Sequence, residues 1–303
     1  MSRTKPKPKP KPAISIVGAG RLGTALAIAL KEAGYRINAL VARRAGRART
    51  AVALLDSPAL ALAVKQLSEL PPSDLVIIAT PDDRIEEVVR DLSLATAGQG
   101  EKRIALHTSG AIPSTILSPL AEAGWGIGSF HPLVAVSDPV SGARALHGAF
   151  WCVEGDKAAV RKARKIVHDL HGESFAISSR RKPLYHAAAV MASGSIVALF
   201  DVALEMLGHC GLSAKEARRV LLPLLASTVS NLSESDPAHA LTGTFARGDL
   251  ATVRSHLKAL TGDALLETSQ LYRLLGRRAL ALAAKNGLEP GIAKEIKTIL
   301  DTE

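Results

Sequence analysis

Aromatic residues make up only 3% of this 303-residue chain, and it has just two cysteines, Cys152 and Cys210. So few aromatics leave little with which to build base-stacking platforms, so no nucleic-acid partner is expected. Two cysteines outside any C-x-x-C pair cannot form a disulfide framework. Free thiols suit a reducing compartment, so a cytoplasmic location is expected. Charge is sparse: 22% charged against 47% hydrophobic residues excludes disorder of the chain as a whole. The most apolar stretch, between His186 and Asp201, has 14 residues and contains Ser193, Gly194 and Ser195. That falls short of the roughly 18–20 apolar residues of a membrane span, so it reads as a buried helix and no membrane partner is expected. Ala13 to Val17 is too short for a secretory apolar region. There is no GxSxG elbow, HExxH or Walker A motif. His168-x-x-His171 has no further His or Cys near it in sequence, so it reads as a helix C-terminus and no metal is expected.

Acidic residues are in deficit, and the net charge is +10. Half of that excess sits in residues 1–12, MSRTKPKPKPKP. Alternating Lys-Pro favours extended polyproline II with nothing apolar to bury, which predicts a disordered, solvated arm. An electrostatic tether to an anionic surface is the alternative.

At about 150 residues per domain, the length suits two domains. Apolar runs at Ala13–Gly18, Arg36–Ala42, Asp74–Thr80, Ile104–Thr108, Gly126–Phe130, Phe150–Glu154 and Ser174–Ile177 read as strands. Helical patterns fall between several of them, at Arg21–Ala33, about 83–92 and about 157–171. This alternation predicts an α/β Rossmann domain over residues 13–180, with a doubly wound, mostly parallel sheet. From about Arg181 strand signals vanish, predicting an all-α C-terminal domain over 181–303. Within it Ser213-x-x-Glu216 forms a capping box, Pro223 should kink or break its helix, Asp249 should cap a helix, and Gly287 should end one of roughly 263–286.

Gly18-Ala19-Gly20-Arg21-Leu22-Gly23 is a GxGxxG motif between a strand and a helix, the setting in which it binds a dinucleotide pyrophosphate. The acidic residue that would take the ribose hydroxyls of NAD is missing. The second strand instead ends in Ala42-Arg43-Arg44, whose guanidinium groups match a 2′-phosphate, so NADP(H) is expected. Thr80-Pro81-Asp82 ends a strand at the ligand-binding edge and is placed beside the nicotinamide half; an ordinary Pro turn is the alternative. His107-Thr-Ser109-Gly110 and His131-Pro132 end strands at the same edge, where a histidine serves as acid or base or simply bonds a loop carbonyl. On the helix opened by Lys182-Pro-Leu-Tyr185-His186, His186 and Ser193 can share a face, with Lys182 one turn earlier. They line a cleft or serve helix packing.

The phrases VGAGRLGTALA, IATPDDRI, HTSGA, FHPL, YHAAAVMAS, PLLASTVSNL and ALTG…RGD…TV..HL span most of residues 13–280. Together they resemble the bacterial Rossmann-like proteins with a DUF2520 C-terminal domain. That family is similar in architecture to ketopantoate reductase, pyrroline-5-carboxylate reductase and the β-hydroxyacid dehydrogenases. The resemblance implies an NADP(H)-dependent oxidoreductase acting on a small carbonyl, hydroxy-acid or imine substrate in an interdomain cleft. It also implies a homodimer formed through the helical domain. His186 would be the acid/base or orienting group, with His131 or Ser109 next and Lys182 and Ser193 beside it. Two positions depart from the family pattern: Gly194 where it has Asn, and Thr244 where ALTG is followed by Pro. The missing Asn favours the alternative of a non-catalytic NADP(H)-binding sensor or assembly protein. His131-Pro132 is similar to the HPxxG of prephenate dehydrogenases, without its glycine.

Overall fold

The computed structural model describes residues 11–96 and 103–302. They form two compact units divided between Ser195 and Ile196. The first holds an eight-stranded sheet in the order β3-β2-β1-β4-β5-β6-β7-β8. Its elements in chain order are β1 (Ala13–Val17), α1 (Arg21–Glu32), β2 (Arg36–Ala42), α2 (Ala45–Ala53), β3 (Leu60–Ala63), β4 (Leu75–Ile78), α3 (Ile85–Ala95) and β5 (Ile104–His107). There follow α4 (Ser118–Glu122), β6 (Gly126–Pro132), α5 (Pro139–Leu146), β7 (Phe150–Gly155), α6 (Lys157–Asp169), β8 (Glu173–Phe175) and α7 (Lys182–Ala192). β1 to β6 pair in parallel, and β7 turns antiparallel to β6.

The continuous apolar strands are explained by burial on both faces. Ile14, Ile16, Leu75, Ile77, Ile104 and Leu106 face one core with α1, α5 and α6. Their alternating neighbours Val17, Val76, Ile78 and Ala105 face a second core with α3 and α4. β3 has no strand signal in the sequence because it is a four-residue edge strand with one buried residue. β6 carries on through His131 and Pro132, two residues past its expected end, because β7 pairs with it there. Residues 1–10 of the expected Lys-Pro arm lie outside the described residues. Lys11, at its root, is exposed but held by partners. Its ammonium pairs with Asp169 at 2.9 Å, bonds the Ala33 carbonyl at 2.5 Å and lies 4.7 Å from the centre of the Tyr35 ring.

The division between units falls fifteen residues beyond the expected boundary, because Lys182 buries itself completely in the first unit and carries α7 with it. The second unit is all-helical: the rest of α8 (Gly194–His209), then α9 (Ala214–Glu234), α10 (Pro237–Ala240), α11 (Thr244–Arg247), α12 (Leu250–Ala259), α13 (Leu266–Lys285) and α14 (Pro290–Asp301). Its core is Val253, Leu257, Leu280, Ile296 and Leu300, with Phe245 and Tyr272 against them. Ser213 and Glu216 make the expected box at the start of α9, and Asp249 caps α12. Pro223 lies inside α9 without ending it; its missing N–H leaves the Arg219 carbonyl without that helical partner at an exposed position. One expectation fails here: the apolar stretch 187–200 is not buried. No residue of α8 is buried, and Val197 is 70% exposed: nothing among the described residues covers this helix.

Candidate active site at the carboxyl edge of the sheet

The loops after β1, β2, β4 and β5 meet at one edge of the sheet. Gly18 leaves β1 with φ +112°, and its N–H and that of Ala19 both bond the Val41 carbonyl of β2. An L-residue is strained at that φ, and a Cβ here would fall 2.5 Å from the Ala79 carbonyl group. A Cβ at Gly23 would lie 1.9 Å from the Gly18 oxygen. These two glycines are therefore required by close packing. Gly20 is different: a Cβ there meets nothing within 4 Å. It sits as the N-cap of α1, offers no side-chain cap, and no acidic residue occupies the first turn. The first N–H groups of α1 have no intrahelical partner, as an anion site at a helix N-terminus requires, and the space beside Gly20 is open. Ala19 and the Leu22 side chain turn into the core, while Arg21 is exposed.

Arg43 and Arg44 follow β2 and are exposed, two and three residues past the carbonyl that holds Gly18. Neither makes an ion pair among the described residues. Thr80 follows β4, and its backbone N is 2.7 Å from where a Gly18 Cβ would lie. Its Oγ1 is buried with no hydrogen-bond partner among the described residues, an orphan that a bound group would satisfy. Pro81 and Asp82 are exposed, and an Asp82 oxygen accepts the Ser109 hydroxyl at 2.9 Å. The same hydroxyl accepts the N–H groups of Ala111 and Ile112, so Ser109 folds its own loop and has its hydroxyl fully engaged.

Beside this loop stand two crossed imidazoles. The rings of His131 and His186 are 5.5 Å apart at 83°. Both press on Gly110, where a Cβ would fall 2.6 Å from His186 Nδ1 and 2.9 Å from His131 Nε2. Tyr185 completes the group, its hydroxyl 2.8 Å from His131 Nδ1. Burial, then the neighbouring His186 and Lys182, hold His131 down to about 4 from the ordinary 6.5, so the ring is neutral at pH 7. No hydrogen bond engages His186 among the described residues, and its Nδ1 is buried against Gly110. His107 lies deeper, with no exposed surface, and its Nδ1 accepts the Ser109 N–H at 3.2 Å. Burial and Lys182 push it to about 3, with the Pro113 carbonyl acting the other way. It supports the loop as a neutral core histidine.

Lys182 is fully buried beneath the cluster. Its ammonium donates to the Ser129 hydroxyl at 2.6 Å and the Ser109 carbonyl at 3.1 Å, and lies 3.5 Å from Glu154. Burial lowers its pKa while Glu154 opposes the shift. Glu154 is itself held by the Ser114 N–H and hydroxyl. Lys182 is thus out of reach of a ligand and anchors α7, which presents Tyr185 and His186 one turn on. Ser193 is exposed at the break between α7 and α8, where φ is −128° and ψ −79°. His168 lies in the last turn of α6 and His171 two residues past its end, and no cluster of metal-ligating side chains occurs among the described residues.

Motif reading singled out His131 and His186 separately. It missed Tyr185 as a site residue, and it missed Ser129 and Glu154 altogether. Ser129 and Glu154 come together only through the antiparallel pairing of β6 with β7, in which they are register partners.

Comparison with known proteins agrees with this architecture. No curated protein matches the sequence. Among solved structures, a Bacteroides fragilis protein provisionally titled an NADP oxidoreductase is 24% identical, with TM-score 0.71 over 89% of this chain and 98% of its own. A Thermotoga maritima protein is 23% identical, with TM-score 0.68 over 90% of this chain and 99% of its own. The Plasmodium falciparum pyrroline carboxylate reductase, solved with NADP bound, is 10% identical, with TM-score 0.56 over 96% of this chain and 99% of its own. At such identities the likeness establishes the fold. The Rossmann-like domain model matches residues 4–132, and DUF2520, a domain of unknown function, matches residues 149–279. Gly110 and His131 come from the first segment, and Glu154, Lys182, Tyr185 and His186 from the second, so the cluster requires both. The chain belongs to the family of Rossmann-like proteins that carry a DUF2520 domain.

Proposed function

We propose that the protein is an NADP(H)-dependent oxidoreductase acting on a small carbonyl, hydroxy-acid or imine substrate held at the Gly110 loop. The observation that carries this reading is the cradle at Gly18–Gly23. It is an uncapped helix N-terminus over open space, with two exposed arginines at the end of the neighbouring strand. The N–H groups of the α1 N-terminus would hold the pyrophosphate, and Arg43 and Arg44 the 2′-phosphate. Thr80 to Asp82 would line the nicotinamide half, where the orphaned Thr80 hydroxyl finds a partner. When bound, NADP(H) supplies the hydride chemistry. The chain's own part is to orient the substrate at His131 and to exchange its proton at His186, which no hydrogen bond occupies among the described residues. Ser109 and Lys182, both engaged in internal bonds, hold these two in place.

The uncovered apolar face of α8, together with exposed Leu224 and Val229 on α9, supports a homodimer in which a second copy covers it. The run Ser179–His209 is long and apolar enough by composition to cross a membrane, but the break at Ser193 interrupts it. The free thiols of Cys152 and Cys210 suit the cytoplasm.

Calorimetric titration with NADPH and NADH tests the cofactor reading. Wild type should prefer NADPH, and Arg43→Ala/Arg44→Ala should abolish the preference. Equal affinities would remove the arginines' role, and binding of neither would remove the cofactor.

A further inference from the structure

The substrate class follows from the tautomer of one ring. His131 has two nitrogens in different surroundings. Nδ1 faces the Tyr185 hydroxyl at 2.8 Å, while Nε2, beside Gly110, has no protein partner among the described residues. A neutral imidazole carries one hydrogen, and the nitrogen that lacks it can only accept. The Tyr185 hydroxyl has His131 as its protein partner among the described residues. Its ring packs edge-on against Phe175. Burial raises the phenol's pKa above its ordinary range, so the O–H keeps its hydrogen. Of the two groups the phenol is the better donor and the imidazole nitrogen the better acceptor. The hydroxyl therefore donates to Nδ1, and the ring's own hydrogen is left on Nε2.

We infer that Tyr185 is a positioning residue that locks His131 with its hydrogen on Nε2, so that the site presents a fixed N–H donor and takes a carbonyl oxygen rather than the N–H of a protonated imine. This rests on the proposed function and narrows it. An iminium N–H brought to this nitrogen would meet another donor. A carbonyl oxygen, and still more the oxyanion it becomes, meets a donor already oriented, which is how neutral histidines polarise carbonyls elsewhere.

The test is long-range proton–nitrogen NMR of the full chain labelled with ¹⁵N-histidine at pH 7. The protein has nine histidines, and the His131 signals are identified by their loss in His131→Gln, with His131→Asn as a second variant. Expected are an acceptor-type Nδ1 and a hydrogen-bearing Nε2 in wild type. In Tyr185→Phe, which removes only the hydroxyl, both shifts should move towards the averaged values of a ring exchanging between tautomers. A hydrogen on Nδ1 in wild type would overturn the inference and turn the site towards imines. So would a wild-type pattern that Tyr185→Phe leaves unchanged. The spectra require neither turnover nor cofactor, so this outcome is independent of the NADPH titration.

Discussion

Lowering the pH from 7 to 4 puts His107 and His131 at odds with the unfolded chain. Burial, with Lys182 and, for His131, His186 nearby, holds them to about 3 and about 4 in the folded protein, against 6.5 ordinarily. Above 6.5 both states carry neutral rings and the fold keeps its full stability. Below 6.5 the unfolded chain binds a proton at each ring and the folded chain does not, so stability falls as the pH drops. With two such protons the slope approaches about 2.7 kcal/mol per pH unit. Between pH 6.5 and 4 the loss reaches about 5–6 kcal/mol, comparable to the whole stability of a typical domain, about 5–15 kcal/mol. Asp169, which burial pushes up but the Lys165, Lys11 and Tyr35 hydrogen bonds hold low, adds its loss only below the ordinary carboxylate range. Trp125 and Trp151 are both buried in the first unit, so their fluorescence reports urea unfolding of the unit that holds these rings. The urea midpoint should fall steeply between pH 6.5 and 5. His131→Gln should remove about half of that slope, and His107→Gln the other half. A midpoint that stays constant over this range, or a His131→Gln protein with the full slope, would refute the reasoning.

Two further outcomes are expected. Gly20→Ala places its methyl in open space at φ −82°, so stability should change by no more than about 0.5 kcal/mol while NADPH affinity falls at least tenfold. Urea unfolding beside calorimetry checks both, and unchanged affinity would remove the cradle from the binding site. Val197→Glu on α8 should turn the dimer into a monomer in light scattering, with the first unit still folded by tryptophan fluorescence. A wild-type monomer, or wild-type recovery with membranes, would assign the face differently.

The parts of this protein legible in its sequence are those whose physics is local. Strands buried on both faces are continuous apolar runs, so β1, β2, β4 and β5 announce themselves. Gly18 and Gly23 appear as a motif because a turn and a close packing contact tolerate nothing larger. The caps Ser213 and Asp249 act on N–H groups three residues away. Arg43 and Arg44 show by charge where an acid would otherwise stand. Other features depended on residues far apart in the chain. The edge strand β3 has too little burial to leave a pattern. The 187–200 stretch is apolar in either setting, and only the packing shows it uncovered. Ser109 and Lys182 looked reactive by residue type, yet a hydroxyl with three partners and an ammonium with no exposed surface serve as supports. Tyr185 looked like part of a helix start, and becomes a partner of His131 because Lys182, buried against Ser129 and Glu154, brings α7 to the sheet. Burial and hydrogen-bond partners belong to the whole fold, and they decide which of several polar side chains remains free to do chemistry.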